Sequence, residues 1–479
     1  MPAMSADPSL QDRLRAVPSV QRLLEEPALR QAESRLGRAA VLDAVRQVLE
    51  DVRRAVASGR PTAPPASELA ERAAARARTR LAGGVRRAIN ATGVILHTGL
   101  GRAVLPEAAL RDIAAELGGY CKVEVDFETG QRGERDLHAA KLLTTILGCQ
   151  AATVVNNNAA ATLLVLSALA RGKEVIVSRG QLIEIGGSFR IPDVMKASGA
   201  RLVEVGCTNR THLRDYEDAI TPETALLLEV HTSNYRIVGF THQVGIGELA
   251  RLGKARGLPV VHDVGSGALL PGMAPELRDE PIVKESLDAG ADLVTFSGDK
   301  ILGGPQFGAV VGREDLVRAV RKHPLWRAMR LDKLILRALE STLALYLDPE
   351  RLGQSVPTLR MLHRPLKELE AQAEELAAKI RKACPALEAR TAPDSSRLGS
   401  GSLPEYDIPT RVVRLRHKDL TPDQLAARLR AWQPMIVGRI QDDWLLLDPR
   451  TLQSGEDEEI ARAFGGMKVQ GPEKERSGT

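Results

Sequence analysis

Cysteine is scarce in this sequence, and no motif organises the few that are present. The four cysteines lie far apart without C-x-x-C spacing, which argues against a disulfide framework and against a zinc ribbon. Histidines also stand singly, with no H-E-x-x-H motif, so no metal site is expected. The cysteine usage fits a reducing compartment and predicts a cytoplasmic protein. The residues concerned are Cys121, Cys149, Cys207 and Cys384, with His97, His231, His242 and His262.

Long apolar runs are missing as well. Asp7, Asp12 and Arg13 interrupt the N-terminal segment, so no signal peptide is expected there. No stretch approaches the roughly 20 apolar residues that span a bilayer. The sequence therefore predicts a soluble protein with no membrane partner.

Lysine is absent from the first 80 residues, which contain 14 arginines and 10 acidic residues. The net charge of the whole chain is only +5, so most of the excess lies in this segment. An arginine-rich helical segment would contact phosphates of a nucleic acid. A solvated surface helix would have the same composition, and the charge alone does not separate the two interpretations.

A chain of 479 residues is too long for one core, and the pattern of its apolar residues changes along its length. Helical spacing over 20–56, which stops at 58–61, predicts a helical N-terminal domain at 1–60. A linker is expected at 61–85, and it includes an Ala/Arg-rich helix at 67–81. Short apolar runs then alternate with helical segments, which predicts a large α/β domain at 86–345. A smaller α+β domain is expected at 346–465 and a disordered tail at 466–479. The predicted strands of the large domain are 123–127, 152–155, 174–177, 202–205, 226–230 and 259–261.

Two buried runs end abruptly in charged residues, at Asp263 and at Lys300. Such runs are typical of parallel strands that present polar groups at their carboxyl edge, where ligands bind. A lysine there would form a Schiff base with pyridoxal phosphate (PLP), and the aspartate would face the ring nitrogen. The pair therefore predicts a PLP enzyme, although either residue alone would more often be structural.

The cofactor phosphate needs an anion site, and the run VVNNNAAA at 154–161 predicts one. A strand that enters a helix through small polar residues presents backbone N–H groups and the positive helix end to a phosphate. Asn157, Asn158 and Ala159 are therefore candidate phosphate ligands, and the Ser297 hydroxyl is a fourth. A tight turn with an N-cap would explain the asparagines equally well. Asn234 is a candidate donor to the phenolic oxygen of the cofactor.

Three arginines are candidates for a second anion site: Arg102, Arg327 and Arg330. A spacing of three places Arg327 and Arg330 on one face of a predicted helix. The glycine-rich run at 303–308 lacks the order of a P-loop, so it predicts a turn and not a nucleotide site.

Several long motifs, in this order along the chain, resemble those of bacterial selenocysteine synthase, the L-seryl-tRNA(Sec) selenium transferase family. The likeness extends from the N-terminal helical segment to 445–452. Two positions depart from the expected pattern, since Gly99 stands in place of Asn and Cys207 in place of Thr. The motifs are INATGVILHT at 89–98, VVNNNAAA at 154–161, 178–181, 186–195, 208–213, SGDK at 297–300 and GGPQ at 303–306.

The resemblance implies a fold-type-I PLP-dependent transferase that makes selenocysteinyl-tRNA(Sec) from seryl-tRNA(Sec) and selenophosphate. Lys300 matches the PLP lysine of the family, and the three arginines match residues that would hold selenophosphate. The seryl group would lose its β-hydroxyl as water to give an aminoacrylyl-tRNA, to which selenium adds. Asp299 would assist proton transfer or have a structural role. The N-terminal domain would bind tRNA, and a homodecamer built from dimers is implied.

Two other interpretations remain open at this point. One is a paralogous PLP lyase that acts on a small amino acid or amino-sugar acid without tRNA, although such relatives usually lack an N-terminal helical domain. The other is an RNA-binding protein that has lost its chemistry, which conflicts with the presence of both Asp263 and Lys300.

Overall fold

The structure is a computed structural model that describes residues 10–58, 62–81, 84–186, 189–273, 280–401 and 406–466. The chain divides into two compact units, Met1–Arg87 and Ala88–Thr479. The predicted tail at 466–479 lies outside the described residues apart from Gly466, the last residue of a helix. No helix within the described ranges is long and apolar enough to cross a membrane.

The first unit is helical, as the sequence predicts. Gly37, with φ of 82°, separates two of its helices, and Pro27 begins one of them. Its apolar residues recur every three or four positions and are buried together, as in an amphipathic helical cluster. The helices are α1 (Leu10–Arg15), α2 (Val20–Leu24), α3 (Pro27–Leu36), α4 (Arg38–Ala57) and α5 (Ala66–Leu81).

Helix α5 confirms the predicted helix at 67–81, which lies within 61–85, the range predicted as a linker. Its Leu69, Ala70 and Ala73 are fully buried in the same cluster as Val45 and Leu49 of α4. A helix that contributes to a core is part of the folded unit, so this unit extends well beyond residue 60.

The second unit contains every described strand. In chain order these are β1 (Ala88–Asn90), β2 (Ala151–Val155), β3 (Glu174–Ser178), β4 (Glu184–Ile185), β5 (Phe189–Arg190), β6 (Arg201–Val205), β7 (Thr224–Val230), β8 (Val260–Gly265), β9 (Leu293–Ser297), β10 (Gly308–Gly312), β11 (Leu387–Ser396), β12 (Ile408–His417), β13 (Met435–Val437), β14 (Arg439–Gln441) and β15 (Trp444–Leu447).

Helices connect and cover these strands. They are α6 (Glu107–Glu116), α7 (Leu137–Leu147), α8 (Asn158–Leu169), α9 (Ile191–Ser198), α10 (Leu213–Ala219), α11 (Ile246–Arg256), α12 (Val283–Asp288), α13 (Glu314–Lys322), α14 (Pro324–Ala328), α15 (Lys333–Leu345), α16 (Leu352–Ser355), α17 (Pro357–Leu362), α18 (Leu366–Ala383), α19 (Pro422–Ala431) and α20 (Glu456–Gly466).

A seven-stranded sheet in the order β2-β10-β9-β8-β7-β3-β6 forms the centre of this unit. Strand β10 is antiparallel to both of its neighbours, and the strands from β9 to β6 run parallel. Leu226 and Leu228 join the apolar cluster that contains α8, whereas Leu227 joins the cluster that contains α11. Both faces of the sheet are therefore covered, which explains why its strands are continuous apolar runs.

One predicted strand is wrong. The segment 123–127 forms no strand, and only an isolated bridge joins Val125 to Arg132. Asp126 accepts hydrogen bonds from the N–H groups of Glu128 and Thr129, which makes a local turn. The alternating apolar pattern resembled a half-buried strand, but Val125 and Phe127 are exposed and have no sheet to pair with.

The C-terminal part of this unit is a four-stranded antiparallel sheet in the order β11-β12-β15-β14. Helices α18, α19 and α20 bury their apolar sides in one cluster with it, which includes Leu376, Ile380, Val413 and Leu445. This is the α+β pattern that the sequence predicts for 346–465. Strand β1 pairs with β13, so the start of this unit is joined to its C-terminal part.

Candidate active site

Strands β8 and β9 are parallel neighbours, so Asp263 and Lys300 reach the same carboxyl edge of the sheet. A cavity of about 300 Å³ opens there, with both residues in its lining. The sequence predicted this meeting from the two strand ends alone. Predicted site residues that line the cavity are Arg102, Asn157, Asn158, Ala159, Asp263, Ser297 and Lys300.

Lys300 is only 8% exposed. Burial lowers the pKa of its ammonium group, and the positive charge of Arg102 lowers it further, although Asp299 and Asp263 oppose the effect. A lysine with a lowered pKa has a larger neutral fraction, and the neutral amine is the form that attacks a carbonyl carbon. The environment therefore suits Lys300 to bond covalently with an aldehyde.

Asp263 is buried in β8 and accepts hydrogen bonds from three side chains. The Asn158 amide donates to Oδ1 at 2.7 Å, the Thr295 hydroxyl donates to Oδ1 at 3.1 Å, and the Thr162 hydroxyl donates to Oδ2 at 3.1 Å. Burial raises the pKa of Asp263 above its usual value, and these hydrogen bonds and the charge of Lys300 offset only part of that rise. The site thus contains a buried carboxyl group held by donors that favour its ionised form.

The turn between β2 and α8 has the predicted arrangement of a strand that enters a helix. Asn157 is the N-cap, and its Oδ1 accepts a hydrogen bond from the N–H of Ala160 at 2.8 Å. The N-terminus of α8, with its positive end, lies at the cavity. A Cβ at Gly308 would lie 2.1 Å from the Asn157 carbonyl oxygen, so glycine is required for β10 to pack under this turn.

Ser297 lines the cavity, but its hydroxyl donates to Oδ1 of Asp299 at 2.9 Å. The other oxygen of that carboxylate accepts from the guanidinium of Arg102 at 2.7 Å. Both oxygens of Asp299 are therefore engaged, and the arrangement favours a structural role over proton transfer. Arg102 has a φ of 62°, an unusual value for a residue other than glycine, and its N–H bonds to the His97 carbonyl.

The three arginines do not line one cavity. Arg102 lines the cavity with Lys300, whereas Arg327 and Arg330 line a second cavity of about 310 Å³. The prediction that Arg327 and Arg330 share a helical face is wrong, because α14 ends at Ala328 and Arg330 lies beyond it. Two of these arginines have acidic partners, since Arg102 pairs with Asp299 and Arg330 lies 3.4 Å from a Glu124 oxygen.

The segment with Arg327 and Arg330 is nevertheless fixed beside the candidate phosphate turn. The N–H of Asn156 donates to the carbonyl of Met329 at 2.9 Å. The second cavity is strongly basic, since Arg132, Arg135, Arg321, Lys322, Arg327 and Arg330 line it against Glu124 and Glu134.

Asn234 is not in the lining of the cavity as the described residues form it. Its amide donates to the backbone carbonyl of Glu184 in β4 at 2.7 Å. A role for Asn234 at the phenolic oxygen of the cofactor remains a prediction. Of the two positions that depart from the resembled family, Gly99 lies in a short 3-10 turn and Cys207 is exposed.

Sequence reasoning missed several residues of the site. Thr162 lies one helical turn after Asn158, and Thr295 lies two residues before Ser297 on the same side of β9, so both spacings could have indicated them. His231 lines the cavity, and its Nε2 lies 3.4 Å from Oε2 of Glu280. No group of three or more residues that could hold a metal ion occurs in the part of the chain that the structure describes.

The site fits PLP by observations independent of any relative. A buried lysine, a buried carboxylate and a helix N-terminus meet in one cavity, and each is suited to a different part of the cofactor. The buried Oδ1 of Asn158 also has no hydrogen-bond partner among the described residues.

The fold matches that of a solved D-glucosaminate-6-phosphate ammonia-lyase, with 21% identity and a TM-score of 0.54 over 81% of this chain and 96% of that one. The shared fold agrees with the predicted fold class, and the lysine–aspartate cavity contains the groups that a PLP-dependent enzyme of fold type I needs.

The sequence matches are more specific than the fold. The family profile described as L-seryl-tRNA selenium transferase matches residues 88–453, and the selenocysteine synthase N-terminal profile matches 14–53. A relative named L-seryl-tRNA(Sec) selenium transferase, from Solidesulfovibrio magneticus, is 51% identical over 93% of this chain and 96% of its own length. Another of that name, from Desulfomicrobium baculatum, is 48% identical over 95% and 98%. The chain belongs to the L-seryl-tRNA(Sec) selenium transferase family.

Proposed function

We propose that this protein converts L-seryl-tRNA(Sec) to L-selenocysteinyl-tRNA(Sec), with selenophosphate as the selenium donor and PLP as the cofactor. The observation that carries the proposal is the family match over nearly the whole chain, combined with a cavity that contains Lys300 and Asp263. In the reaction the Cβ–O bond of the seryl group breaks and the hydroxyl leaves as water, a Cβ–Se bond forms, and water cleaves the Se–P bond of the donor to release orthophosphate.

Each part of the cofactor has a candidate partner in the cavity. Lys300 holds its aldehyde carbon, Asp263 its ring nitrogen, and the N-terminus of α8 at Asn157 to Ala159 its phosphate. When bound, PLP supplies an electron sink that stabilises negative charge at the α-carbon of the substrate.

The residues of the chain provide the remaining functions. The neutral Nζ of Lys300 accepts and returns the proton of the seryl α-carbon, because burial and Arg102 lower the pKa of this lysine. Arg102 supplies positive charge to an anion at the cavity, and Asp299 holds its guanidinium in place. Asp299 is thus a positioning residue for Arg102 and not the acid or base of the reaction.

Arg327 and Arg330 are proposed to hold the selenophosphate anion from the basic cavity, with Arg102 contributing from the cavity that contains Lys300, since guanidinium groups bind phosphate-like anions in a bidentate manner. Replacement of either by Ala is expected to slow selenium addition about tenfold or more, while loss of the seryl β-hydroxyl continues. Single-turnover assays should follow seryl-tRNA(Sec) consumption and selenocysteinyl-tRNA(Sec) formation in parallel.

Arg318→Ala is the matched control, because Arg318 is exposed on α13 and does not line the basic cavity. Equal losses in both steps would assign Arg327 and Arg330 to tRNA or cofactor binding instead. Unchanged rates would remove them from the site.

The helical N-terminal unit is proposed to bind the tRNA. Its helices α4 and α5 present many guanidinium groups to solvent, and such groups neutralise phosphates. The selenocysteine synthase N-terminal match at 14–53 supports the same role. The exposed arginines among the described side chains of these helices are Arg38, Arg46, Arg53, Arg54, Arg72, Arg76 and Arg78.

A chain that begins at Ala88 is expected to bind PLP and to lose the preference for tRNA(Sec) over tRNA(Ser). The cut is placed at the boundary of the two units, because α5 belongs to the N-terminal core and removal of 1–60 alone would expose its apolar face. Gel-shift titrations with both tRNAs measure the preference.

The full-length double variant Arg46→Glu with Arg53→Glu is the companion to this truncation. It should weaken tRNA binding while the unit stays folded, since both side chains are exposed. A truncated protein that still discriminates between the tRNAs would place recognition in the second unit.

We further propose a cytoplasmic homodecamer assembled from dimers.

The proposed functional division is an N-terminal tRNA-binding domain, a PLP-binding domain to about residue 345 and a C-terminal domain to about residue 465. Support comes from the family to which the chain belongs and from the apolar cluster that the C-terminal sheet forms with its helices. Leu352 to Leu362 and Ile408 pack instead in a cluster with the central sheet, so the two domains share part of their core.

A substrate comparison tests the proposed function against the tRNA-independent lyase. The holoenzyme should consume the seryl group of seryl-tRNA(Sec) and leave free L-serine and D-glucosaminate 6-phosphate unchanged. Turnover of either small molecule at a rate equal to that of seryl-tRNA(Sec) would favour the lyase instead.

A further inference from the structure

The carboxylate of Asp263 has an unequal distribution of hydrogen bonds over its two oxygens. Oδ1 accepts from both Asn158 and Thr295, whereas Oδ2 accepts from Thr162 alone. A carboxylate oxygen has room for about two donors, so Oδ1 is filled and Oδ2 has one acceptor position left. Thr162 and Thr295 are buried, and neither lies in the lining of the cavity.

The three donors differ in how firmly they are committed to Asp263. The Thr295 hydroxyl has a hydrogen bond to Asp263, and the Asn158 amide can meet a carboxylate only through its Nδ2. The Thr162 hydroxyl also lies 3.1 Å from the backbone carbonyl oxygen of Asn158, so its proton is shared between that oxygen and Oδ2 of Asp263. Substitution of Thr295 is therefore the clearest test of a hydrogen bond donated to Asp263.

We propose that Asn158, Thr162 and Thr295, together called the Asp263 donor set, are positioning residues that keep Asp263 a carboxylate and direct Oδ2 toward the PLP ring nitrogen. The proposal rests on the proposed PLP chemistry but adds side chains that act through Asp263. It assigns the Asn158 side chain to the ring-nitrogen partner, whereas the backbone at Asn158 remains part of the proposed phosphate site.

The physical reason concerns the position of one proton. A ring nitrogen beside a carboxyl group shares a proton with it, and only the form with the proton on nitrogen makes the ring a strong electron sink. Hydrogen bonds donated to the carboxylate favour that form, because they stabilise the charged oxygen and not the protonated one. Removal of a donor should move the proton from the nitrogen toward Asp263.

The test uses the full-length holoenzyme with PLP labelled with ¹⁵N in the ring. Thr295→Val removes the hydroxyl at nearly constant volume and is expected to shift the ring ¹⁵N resonance from the pyridinium toward the neutral pyridine value. We expect the proton equilibrium and kcat each to change about tenfold, with a smaller effect for Thr162→Val and a larger one for the double variant. Thr295→Ser, which keeps the hydroxyl, should restore the resonance.

Two matched controls separate this effect from general loss of a buried hydroxyl. Thr410→Val removes a buried hydroxyl that donates to another buried carboxylate, Asp448, at 2.9 Å. Thr342→Val removes one that donates to the carbonyl four residues earlier in its helix, as Thr162 also does. Neither control should move the ring ¹⁵N resonance, even if it lowers the melting temperature.

The experiment distinguishes failure of the proposed PLP chemistry from failure of the proposed role of the Asp263 donor set. A wild-type protein that binds no PLP, or binds it with a neutral ring nitrogen, would overturn the proposed chemistry itself. A wild type with a protonated ring and a Thr295→Val variant with an unchanged resonance would overturn only the role of the donor set. A shift in the variant that Thr295→Ser does not restore would also contradict it, since packing and not the hydroxyl would then be responsible.

Discussion

Lys300→Ala is expected to abolish both turnover and the covalent capture of PLP by borohydride. Lys300 is the lysine in the cavity that contains Asp263 and the N-terminus of α8, and burial gives it a lowered pKa. Alanine has no amine to bond with the cofactor aldehyde, so PLP would be held by noncovalent contacts alone. Peptide mapping by mass spectrometry after reduction identifies the labelled residue in the wild type.

Lys196→Ala serves as the control, because Lys196 is exposed on α9 and is not in the cavity lining. It should retain both the label and the activity. A pyridoxyl group found on any lysine other than Lys300 would contradict the assignment of the site.

Asp263→Asn is expected to keep much of the bound PLP and to lower kcat by more than roughly 10²-fold, as removal of other buried electrostatic stabilisers does. An amide has no negative charge with which to hold the ring nitrogen protonated. Its Nδ2 would also face groups that donate to the native carboxylate, such as the Thr295 hydroxyl. Steady-state rates and PLP affinity should be measured on the same preparations.

The exposed residue Asp218 provides the matched substitution, since Asp218→Asn removes the same charge from the surface of α10. Its rate should equal that of the wild type. A near-normal rate for Asp263→Asn would mean that the ring nitrogen does not depend on this carboxylate.

The sequence predicted that Asp263 and Lys300 meet because both lie at the ends of buried parallel strands. Continuous apolar runs locate such strands, and their carboxyl ends meet at one edge, so Asp263 and Lys300 could be brought together without coordinates. The same reasoning located the turn before α8, where a strand enters a helix through asparagines. Patterns that depend on neighbours in the chain were thus sufficient for these elements.

Partners that come from distant parts of the chain could not be predicted in this way. The contact of Arg102 with Asp299 joins residues 197 positions apart, and no local pattern reports it. The position of Arg330 depended on where α14 ends, which is the least predictable feature of a helix. The segment 123–127 failed for a related reason, since an alternating pattern does not show whether a partner strand exists.

The most direct test of the central claim is the identity of the product formed from seryl-tRNA(Sec) with a labelled seryl carbon. The holoenzyme is incubated with this substrate and selenophosphate, the aminoacyl ester is hydrolysed, and the released amino acid is identified. We expect labelled selenocysteine that requires the protein, PLP and selenophosphate together and is absent with Lys300→Ala. Recovery of unchanged serine from the complete reaction, or equal selenocysteine formation by Lys300→Ala, would contradict it.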